Sequence, residues 1–378
     1  MDFDFSDDQR MLKDSVDRLI ADKYGFDQRK KYMAEPDGWS RELWAQYAEL
    51  GLLGVSFSEA HGGFGGGPVE NMIVAEAFGK GLVLEPYFAT VVLGGGLIQA
   101  AGSVAQQAAL LPEIAAGTRL VAFAQVERSS RYDLADVQVT ATKTAAGWVL
   151  NGEKSVVLHG DCADTLLVTA RTAGGRTDRA GIGLFMVDAK AAGVTRQGYR
   201  TQDGCRAAEI AFANVLASDV LGDPAGALPA IEQVVDQAIA VLCAEAVGLM
   251  GEMHATTVDY MKQRKQFGVT ISQFQALQHR AVDMFVALEQ SRSMALFGTV
   301  MSAEADAKVR SRSVSATKVQ IGRAGKLVGE EAIQLHGGIA MTMEYKVGHY
   351  FKRMTMIEQL FGTTDIHLAK VSDAGSLF

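Results

Sequence analysis

Five consecutive residues, Arg264-Lys265-Gln266-Phe267-Gly268, combine two cations, an amide and an aromatic ring after a long apolar stretch. One interpretation is a helix terminus, in which the cations face the negative end of the helix dipole and Gly268 stops the helix. The other is a binding segment, in which Arg264 forms charge-assisted hydrogen bonds to a pyrophosphate and Phe267 packs on an aromatic ring system. The segment alone leaves both open.

A second segment with binding chemistry is Gln334-Leu335-His336-Gly337-Gly338. Its paired glycines suit a helix terminus, but they also let a backbone approach a bulky ligand closely. Gln334 offers both a hydrogen-bond donor and an acceptor to a nucleotide, whereas His336 is either satisfied within the protein or part of a site. This segment lends the first one the support that it lacks alone.

The most glycine-rich stretch, residues 61–68 (HGGFGGGP), superficially suggests a phosphate loop. It follows no predicted strand, and no Lys-Ser or Lys-Thr pair closes it. We therefore interpret it as a connecting loop.

The composition is that of an ordinary globular protein. The chain has 378 residues, of which 48% are hydrophobic and 21% charged, so two or three domains are expected. Its net charge of -8 gives no general attraction for nucleic acid or anionic membranes. Cys162, Cys205 and Cys243 show neither metal-ligand spacing nor a pairing framework, which favours a reduced, cytoplasmic compartment.

Neither an export signal nor a membrane span is predicted. The first five residues (MDFDF) are acidic where a secretory leader would be basic. The most apolar stretch, residues 227–250, is interrupted by Glu232, Asp236 and Glu245, which indicates a buried helix.

The order of helical and strand signals predicts an α+β protein of three domains. These are an N-terminal helical domain (1–118), a middle β-barrel-like domain (119–222) and a C-terminal four-helix bundle (223–378). At the start, the cluster Ser6-Asp7-Asp8 suits a helix N-cap. Apolar residues then recur at helical spacing at Met11, Val16, Leu19 and Ile20.

Further elements follow from the same periodicities. Helices are predicted at 41–50, 70–79 and 104–115, and the long bundle helices near 226–263, 271–302, 305–336 and 348–359. Strands are predicted around 137–141, 148–150, 166–168, 182–187 and 210–212. The Asn151-Gly152 pair predicts a hairpin turn after the second of these strands.

Both binding segments, with this spacing and this order of elements, resemble the acyl-CoA dehydrogenase family over essentially the whole chain. Residues 49–54 and 61–63 are similar to the family's first-domain signature. Residues 151–154 and 203–206 fall where the family places related turns. Later matches follow in the family's order, at 275–283, 334–338 and the Gly362-Thr363 pair.

The resemblance implies the acyl-CoA dehydrogenase fold and a specific chemistry. Family members hold FAD between two subunits beside a fatty acyl-CoA substrate. A glutamate removes the α-proton while the β-hydrogen leaves as hydride to the flavin, and electron-transferring flavoprotein is the usual acceptor. The residues that match the family's contacts to a neighbouring subunit's flavin nucleotide are Arg264, Gln266, Phe267, Gln334, Gly337 and Gly338.

The position of the catalytic base departs from the family. The glutamate normally precedes the Gly-Thr pair, and this chain has Phe361 there. A phenyl ring has no lone pair to accept a proton, so we predict no catalytic residue at this position. Relatives that carry the base on the first bundle helix would match Ala238, beside Ile239 where the family has an arginine.

The middle domain departs as well. The family's flavin-binding loop (Glu-Pro-Gly-x-Gly-Ser) corresponds to residues 127–133 (ERSSRYD), and its strand end (Trp-x-Thr-Asn-Gly) corresponds to 156–160 (VVLHG). Leu158 therefore replaces the hydroxyl that would face the isoalloxazine. Glu127, Glu245 and Glu358 are the acids that could replace the missing base, and we interpret each as structural.

These losses are selective, because groups donated to a partner's flavin are kept while groups for the chain's own flavin are altered. The pattern is similar to the small subunits of heteromeric family members, among them pimeloyl-CoA dehydrogenase, and predicts a base-bearing large subunit as partner. Two alternatives remain. One is a self-sufficient homo-oligomeric flavoenzyme, either with a displaced base or with acyl-CoA chemistry that needs none. The other is a non-catalytic acyl-CoA-binding scaffold.

Overall fold

The computed structural model describes residues 5–375, so residues 1–4, most of the acidic stretch that argues against an export signal, lie outside the described part. The chain separates into two compact units. The first contains residues 1–31, 68–83 and 239–378, and the second contains residues 32–67 and 84–238. The predicted division into three domains follows element type rather than contacts, and it stays a prediction.

Eleven α-helices lie within residues 5–375. In chain order they are α1 (Asp7–Lys23), α2 (Phe26–Met33), α3 (Arg41–Glu49), α4 (Pro68–Gly81), α5 (Gly96–Ala101), α6 (Val104–Ala115), α7 (Leu228–Gln263), α8 (Gln275–Met301), α9 (Ala307–His336), α10 (Lys346–Gln359) and α11 (Thr364–Asp373). A π-helix, Phe88–Gly95, precedes α5.

The first helix begins as predicted, with a capping box at Ser6. The Ser6 Oγ accepts from the Gln9 N–H at 3.2 Å, and the Gln9 Oε1 accepts from the Ser6 N–H at 3.0 Å. Leu19 and Ile20 are buried, as their spacing predicts. Met11 is 63% exposed, because the helix surface at this position faces solvent.

The four long bundle helices are confirmed as α7 to α10, with ends close to those predicted. Helix α9 packs against α8, α10 and α11. Glycines allow this close approach: a Cβ on Gly298 would lie 2.6 Å from the Thr317 Oγ1, and one on Gly325 would lie 2.0 Å from the Met354 Cε. Helix α11 carries no strong periodic signal and was not predicted.

Eight strands of the second unit form one mixed sheet. They are β1 (Val121–Ala124), β2 (Thr140–Thr144), β3 (Gly147–Leu158), β4 (Thr165–Arg171), β5 (Ile182–Asp188), β6 (Val194–Arg200), β7 (Arg206–Leu216) and β8 (Asp219–Leu221). Their order is β6-β7-β3-β2-β4-β5-β8, and β1 pairs in parallel with β4. Helices, then strands, then helices confirm the predicted α+β fold class.

The predicted Asn151-Gly152 turn is wrong. Strand β3 continues through both residues, and the hairpin turns earlier, between Thr144 and Gly147. Gly152 has a φ of 133° at a register shift against β7, and the Asn151 Oδ1 accepts from the Asn214 N–H at 2.8 Å. The pair therefore forms a bulge, because pairing with β7 outweighs the local turn preference.

Helix α7 is the one described helix that is long and apolar enough, by length and composition, to cross a membrane. Within its most apolar window, 83% of the residues are buried inside the protein. This burial agrees with the predicted buried helix.

Candidate cofactor site

The first binding segment leaves helix α7 as a short hairpin rather than as a glycine-stopped helix end. The helix ends at Gln263, and β9 (Lys265–Gln266) then pairs with β10 (Val269–Thr270). The two turn residues, Phe267 and Gly268, have φ values of 52° and 83°, as a type I′ turn requires. The interpretation in which Gly268 stops the helix is therefore wrong, since this glycine forms the turn of a hairpin instead.

Phe267 occupies a conformation and an environment that are both unusual for its type. A bulky side chain rarely adopts positive φ. Its ring is 91% exposed and touches the Phe274 ring edge to face, with centroids 6.1 Å apart. An aromatic ring held out on a tight turn is available for contact with a planar ligand.

The second binding segment is a helix terminus, and it also presents an open backbone. Helix α9 ends at His336, and Gly337 follows with a φ of 66° and a ψ of -145°. A Cβ built on Gly337 or on Gly338 would meet no atom within 4 Å. The exposed Gln334 side chain lies one turn before this glycine pair.

The fold brings the two segments together. The Tyr260 ring, on the last turn of α7, lies 4.5 Å from the His336 ring, centroid to centroid. The Arg264 N–H donates to the Tyr260 carbonyl at 2.8 Å, so the arginine follows this contact by one turn. Each of the six predicted cofactor-binding residues therefore lies within seven residues, along the chain, of Tyr260 or His336.

The donor set fits the nucleotide half of a flavin. Arg264 is exposed, and no carboxylate within the described residues pairs with its guanidinium. An unpaired guanidinium suits a pyrophosphate, and exposed amides at Gln266 and Gln334 suit ribose or base edges. Gly337 and Gly338 leave space that a side chain would fill.

The family's base position lies in the loop between α10 and α11. Phe361 is half-buried with a φ of 57°, and its carbonyl accepts from the His367 Nε2 at 3.2 Å. The next residue, Gly362, has a φ of 121°, and a Cβ there would lie 2.8 Å from the same nitrogen. Ala238, the alternative position, is fully buried. Neither position carries a proton acceptor.

Of the three carboxylates that could replace the missing base, two have both oxygens in hydrogen bonds. The Glu127 carboxylate is 4% exposed and accepts from the Lys154 Nζ at 2.7 Å, and its second oxygen accepts from the Gln138 N–H at 2.9 Å. Glu245 accepts from both the Nε and an Nη of Arg353, at 2.6 and 2.8 Å. Both carboxylates have the structural roles predicted from the sequence.

Glu358 is the third, and it is only half engaged. Its Oε1 accepts from the Thr364 N–H at 2.6 Å, which caps helix α11. Its Oε2 is buried and has no hydrogen-bond partner within residues 5–375. The same side chain lines a cavity of about 480 Å³ together with Lys318 and Thr364.

The altered middle-domain loop borders a cavity of about 680 Å³ in the second unit. Arg131 and Val156, on its two sides, have φ values of 49° and 51°. Positive φ at a β-branched valine is a marked outlier and stores of the order of 1–3 kcal/mol. Glu209 accepts from Tyr199 at 2.9 Å here, and burial together with this contact raises the pKa of Tyr199 to about 12. Sequence reasoning missed this pair, since nothing local marks it.

Comparison with known proteins defines the class. Three models of one family match in order: acyl-CoA dehydrogenase N-terminal domain at residues 6–118, middle domain at 122–215 and C-terminal domain at 228–375. The chain therefore belongs to the acyl-CoA dehydrogenase family.

Individual relatives agree along the whole length. The probable acyl-CoA dehydrogenase YngJ of Bacillus subtilis is 27% identical and covers 97% of each chain. A solved structure described as a Tcur3481-Tcur3483 steroid ACAD variant is 27% identical, with a TM-score of 0.87 over 97% of each chain. An FAD complex of PigA is 26% identical, with a TM-score of 0.90 over 99% of this chain and 98% of that one.

Family membership fixes the general chemistry. FAD is the cofactor, an acyl-CoA is the substrate class, and the family's reaction is an oxidation at a CH–CH bond.

Proposed function

We propose that this chain is the subunit of a heteromeric FAD-dependent acyl-CoA dehydrogenase that lacks the catalytic base and completes the flavin-nucleotide site of a base-bearing partner. The observation that carries the proposal is the contrast between two regions of one chain. The nucleotide-facing groups, such as Arg264 and Phe267, are exposed and unblocked. The base position holds Phe361, whose ring cannot accept a proton.

The division of chemistry follows from these groups. When bound, FAD accepts the hydride that leaves the β-carbon of the acyl-CoA. Arg264 neutralises pyrophosphate charge, Phe267 covers an aromatic face, and the Gly337-Gly338 backbone approaches the nucleotide. Removal of the α-proton falls to a carboxylate of the large subunit. Reduced cysteines favour the cytoplasm, and electron-transferring flavoprotein is the expected acceptor.

A related protein offers a precedent. The steroid ACAD that is 27% identical to this chain is named as a pair, Tcur3481-Tcur3483. A paired name supports an assembly of two different chains. The acyl group of this chain's substrate does not follow from that likeness.

A second candidate function rests on Glu358. Its Oε2 is buried and has no hydrogen-bond partner within residues 5–375, so this oxygen is available to accept a proton, as a displaced base in a self-sufficient enzyme must. The exchange Glu358→Gln separates the candidates. If Glu358 is the base, this substitution abolishes dehydrogenation by the chain purified alone. If Glu358 is not the base, the heteromeric complex stays active.

The decisive experiment compares the chain alone with the chain purified together with its partner. A tagged copy is expressed in the source organism, and the recovered complex is analysed for subunit identity, FAD per subunit and acyl-CoA oxidation. We expect a partner from the same family that carries a glutamate before its Gly-Thr pair, and colourless, inactive protein when this chain is purified alone. A yellow, active chain without a partner would contradict the proposal.

Arg264→Ala tests the assigned role of the chain itself. Loss of one charge-assisted contact to pyrophosphate costs about 1.5–3 kcal/mol, so FAD should bind roughly ten- to a hundredfold more weakly. Lys265→Ala is the matched control, because it removes an adjacent exposed cation that no contact assigns to the nucleotide. Equal flavin content in the two variants would exclude the role of Arg264.

A further inference from the structure

His336 belongs to the second binding segment, its ring packs against Tyr260 at the end of the helix that leads into the first, and this ring is held in one orientation. It is 4% exposed, and its Nδ1 lies 2.8 Å from the Ala332 carbonyl oxygen. A carbonyl can only accept, so Nδ1 carries the proton and Nε2 is a bare acceptor. Nε2 is buried and has no hydrogen-bond partner within the described part of the chain. Such an atom costs stability, and a leucine would avoid that cost.

Two tyrosines enclose this imidazole. The Tyr260 ring centroid lies 4.5 Å away with an interplanar angle of 31°, and that of Tyr345 lies 5.1 Å away at 52°. The two tyrosine rings also meet each other, 6.5 Å apart. The cluster joins three elements of the first unit: the last turn of α7, the end of α9 and the residue before α10.

The tips of the two binding segments, Phe267-Gly268 and Gly337-Gly338, have little packing that could hold them. Phe267 is 91% exposed, and nothing lies within 4 Å of a Cβ on Gly268, Gly337 or Gly338. Their orientation must therefore come from the residues behind them. Those residues are Tyr260, one turn before Arg264, and His336, directly before Gly337.

We infer that His336 is a positioning residue for the flavin nucleotide. Its ring packs between Tyr260 and Tyr345 and so fixes the end of α7 relative to the end of α9. This packing sets the distance between Arg264 and the Gly337-Gly338 backbone. This inference rests on the proposed function. It assigns His336 no contact with the nucleotide. It predicts that ring shape at residue 336 matters more than hydrogen-bonding capacity.

Three substitutions at this position separate ring packing from simple core filling. His336→Phe keeps an aromatic ring between the tyrosines, His336→Leu fills the space without a ring, and His336→Asn keeps a donor toward Ala332. FAD retained per complex after dilution is read from flavin fluorescence, and the unfolding midpoint of each variant is measured in parallel. We expect His336→Phe to stay within about twofold of the wild type, and the other two to bind FAD about tenfold more weakly.

A second pair of variants, at the less buried Tyr345, tests the inference even if the substitutions at the buried His336 prevent folding. Tyr345→Leu removes the outer, half-buried ring and should weaken FAD binding severalfold, while Tyr345→Phe keeps the ring and should not. Wild-type FAD retention in both leucine variants, or equal loss in His336→Phe and His336→Leu, would overturn the inference. Arg264→Ala separates failure of this inference from failure of the proposed function. If Arg264→Ala weakens FAD binding while the ring variants do not, only the positioning role of His336 is wrong.

Discussion

The buried ion pair between Glu127 and Lys154 gives the sharpest test of whether Glu127 is structural. Lys154 is fully buried, and its Nζ donates to the Glu127 Oε1 at 2.7 Å, to the Gln125 carbonyl at 3.1 Å and to the Thr169 hydroxyl at 2.9 Å. Glu127→Gln removes the charge but keeps an oxygen for the backbone N–H groups. The expected loss of folding stability therefore comes only from the Lys154 ammonium, which is left without a counter-charge.

The magnitude follows from what a buried charge costs when its partner is removed. Breaking such a pair typically costs 3–5 kcal/mol, so we expect the free energy of unfolding to fall by about 3 kcal/mol. For a unit of this size the melting temperature should fall by roughly 6–12 °C. Replacing both partners, as in Glu127→Gln with Lys154→Met, should recover most of the loss, because no buried charge remains and the glutamine oxygen still accepts from the Gln138 N–H.

The assay is thermal and urea unfolding followed by circular dichroism, with Glu153→Gln as control. Glu153 is exposed on the same strand, so its exchange should change stability by less than about 0.5 kcal/mol. Burial lowers the pKa of Lys154 to about 8, although Glu127 acts in the opposite direction. The unfolded state then binds more protons above pH 8, so stability should rise from pH 8 towards 10. An unchanged melting temperature in Glu127→Gln would refute the reasoning.

Three further predictions concern residues of the first unit, near the ends of helices α9, α10 and α11. Burial lowers the pKa of His367 to about 3, so between about pH 6.5 and 3 the unfolded state binds a proton that the folded state does not. The free energy of unfolding should therefore fall as the pH drops through this range. His367→Gln should flatten this slope by up to about 1.4 kcal/mol per pH unit, measured by urea titration. Gly337→Ala places a side chain at positive φ, so it should lower the free energy of unfolding by about 1–3 kcal/mol and weaken FAD binding. Gly338→Ala is the control and should cost little stability. Equal unfolding midpoints for the two variants would contradict this. Glu358→Gln keeps an oxygen for the Thr364 N–H, so it should weaken the cap of α11 by less than about 1 kcal/mol and should not abolish oxidation by the complex; loss of turnover would point to a displaced base.

Local signals in the sequence were sufficient for most of the helices. The capping residue Ser6 and the apolar periodicity placed helix ends closely, because both depend on residues within a few positions. The Asn151-Gly152 pair was misread because its conformation depends on pairing with β7, more than fifty residues later. Long-range pairing overrides local turn preference in such a strand.

The candidate site could be predicted as a set of residues but not as an arrangement. Arg264, Phe267 and Gly337 were proposed from residue type together with the family resemblance, whereas the left-handed turn at Phe267 runs against the preference of a bulky side chain. The cluster of Tyr260 with His336 joins positions 76 residues apart, and no local pattern marks such a contact. The free oxygen of Glu358 likewise became visible only in the folded chain.

Acyl-CoA-dependent bleaching of flavin, measured on the chain purified alone and on the chain purified with its partner, decides whether another subunit supplies the base. We expect no bound flavin and no bleaching for the chain alone. For the complex we expect one flavin for each pair of unlike subunits, with an absorbance that bleaches when the acyl-CoA is added. A homogeneous preparation that holds FAD and is bleached by a fatty acyl-CoA without any other polypeptide would contradict this expectation.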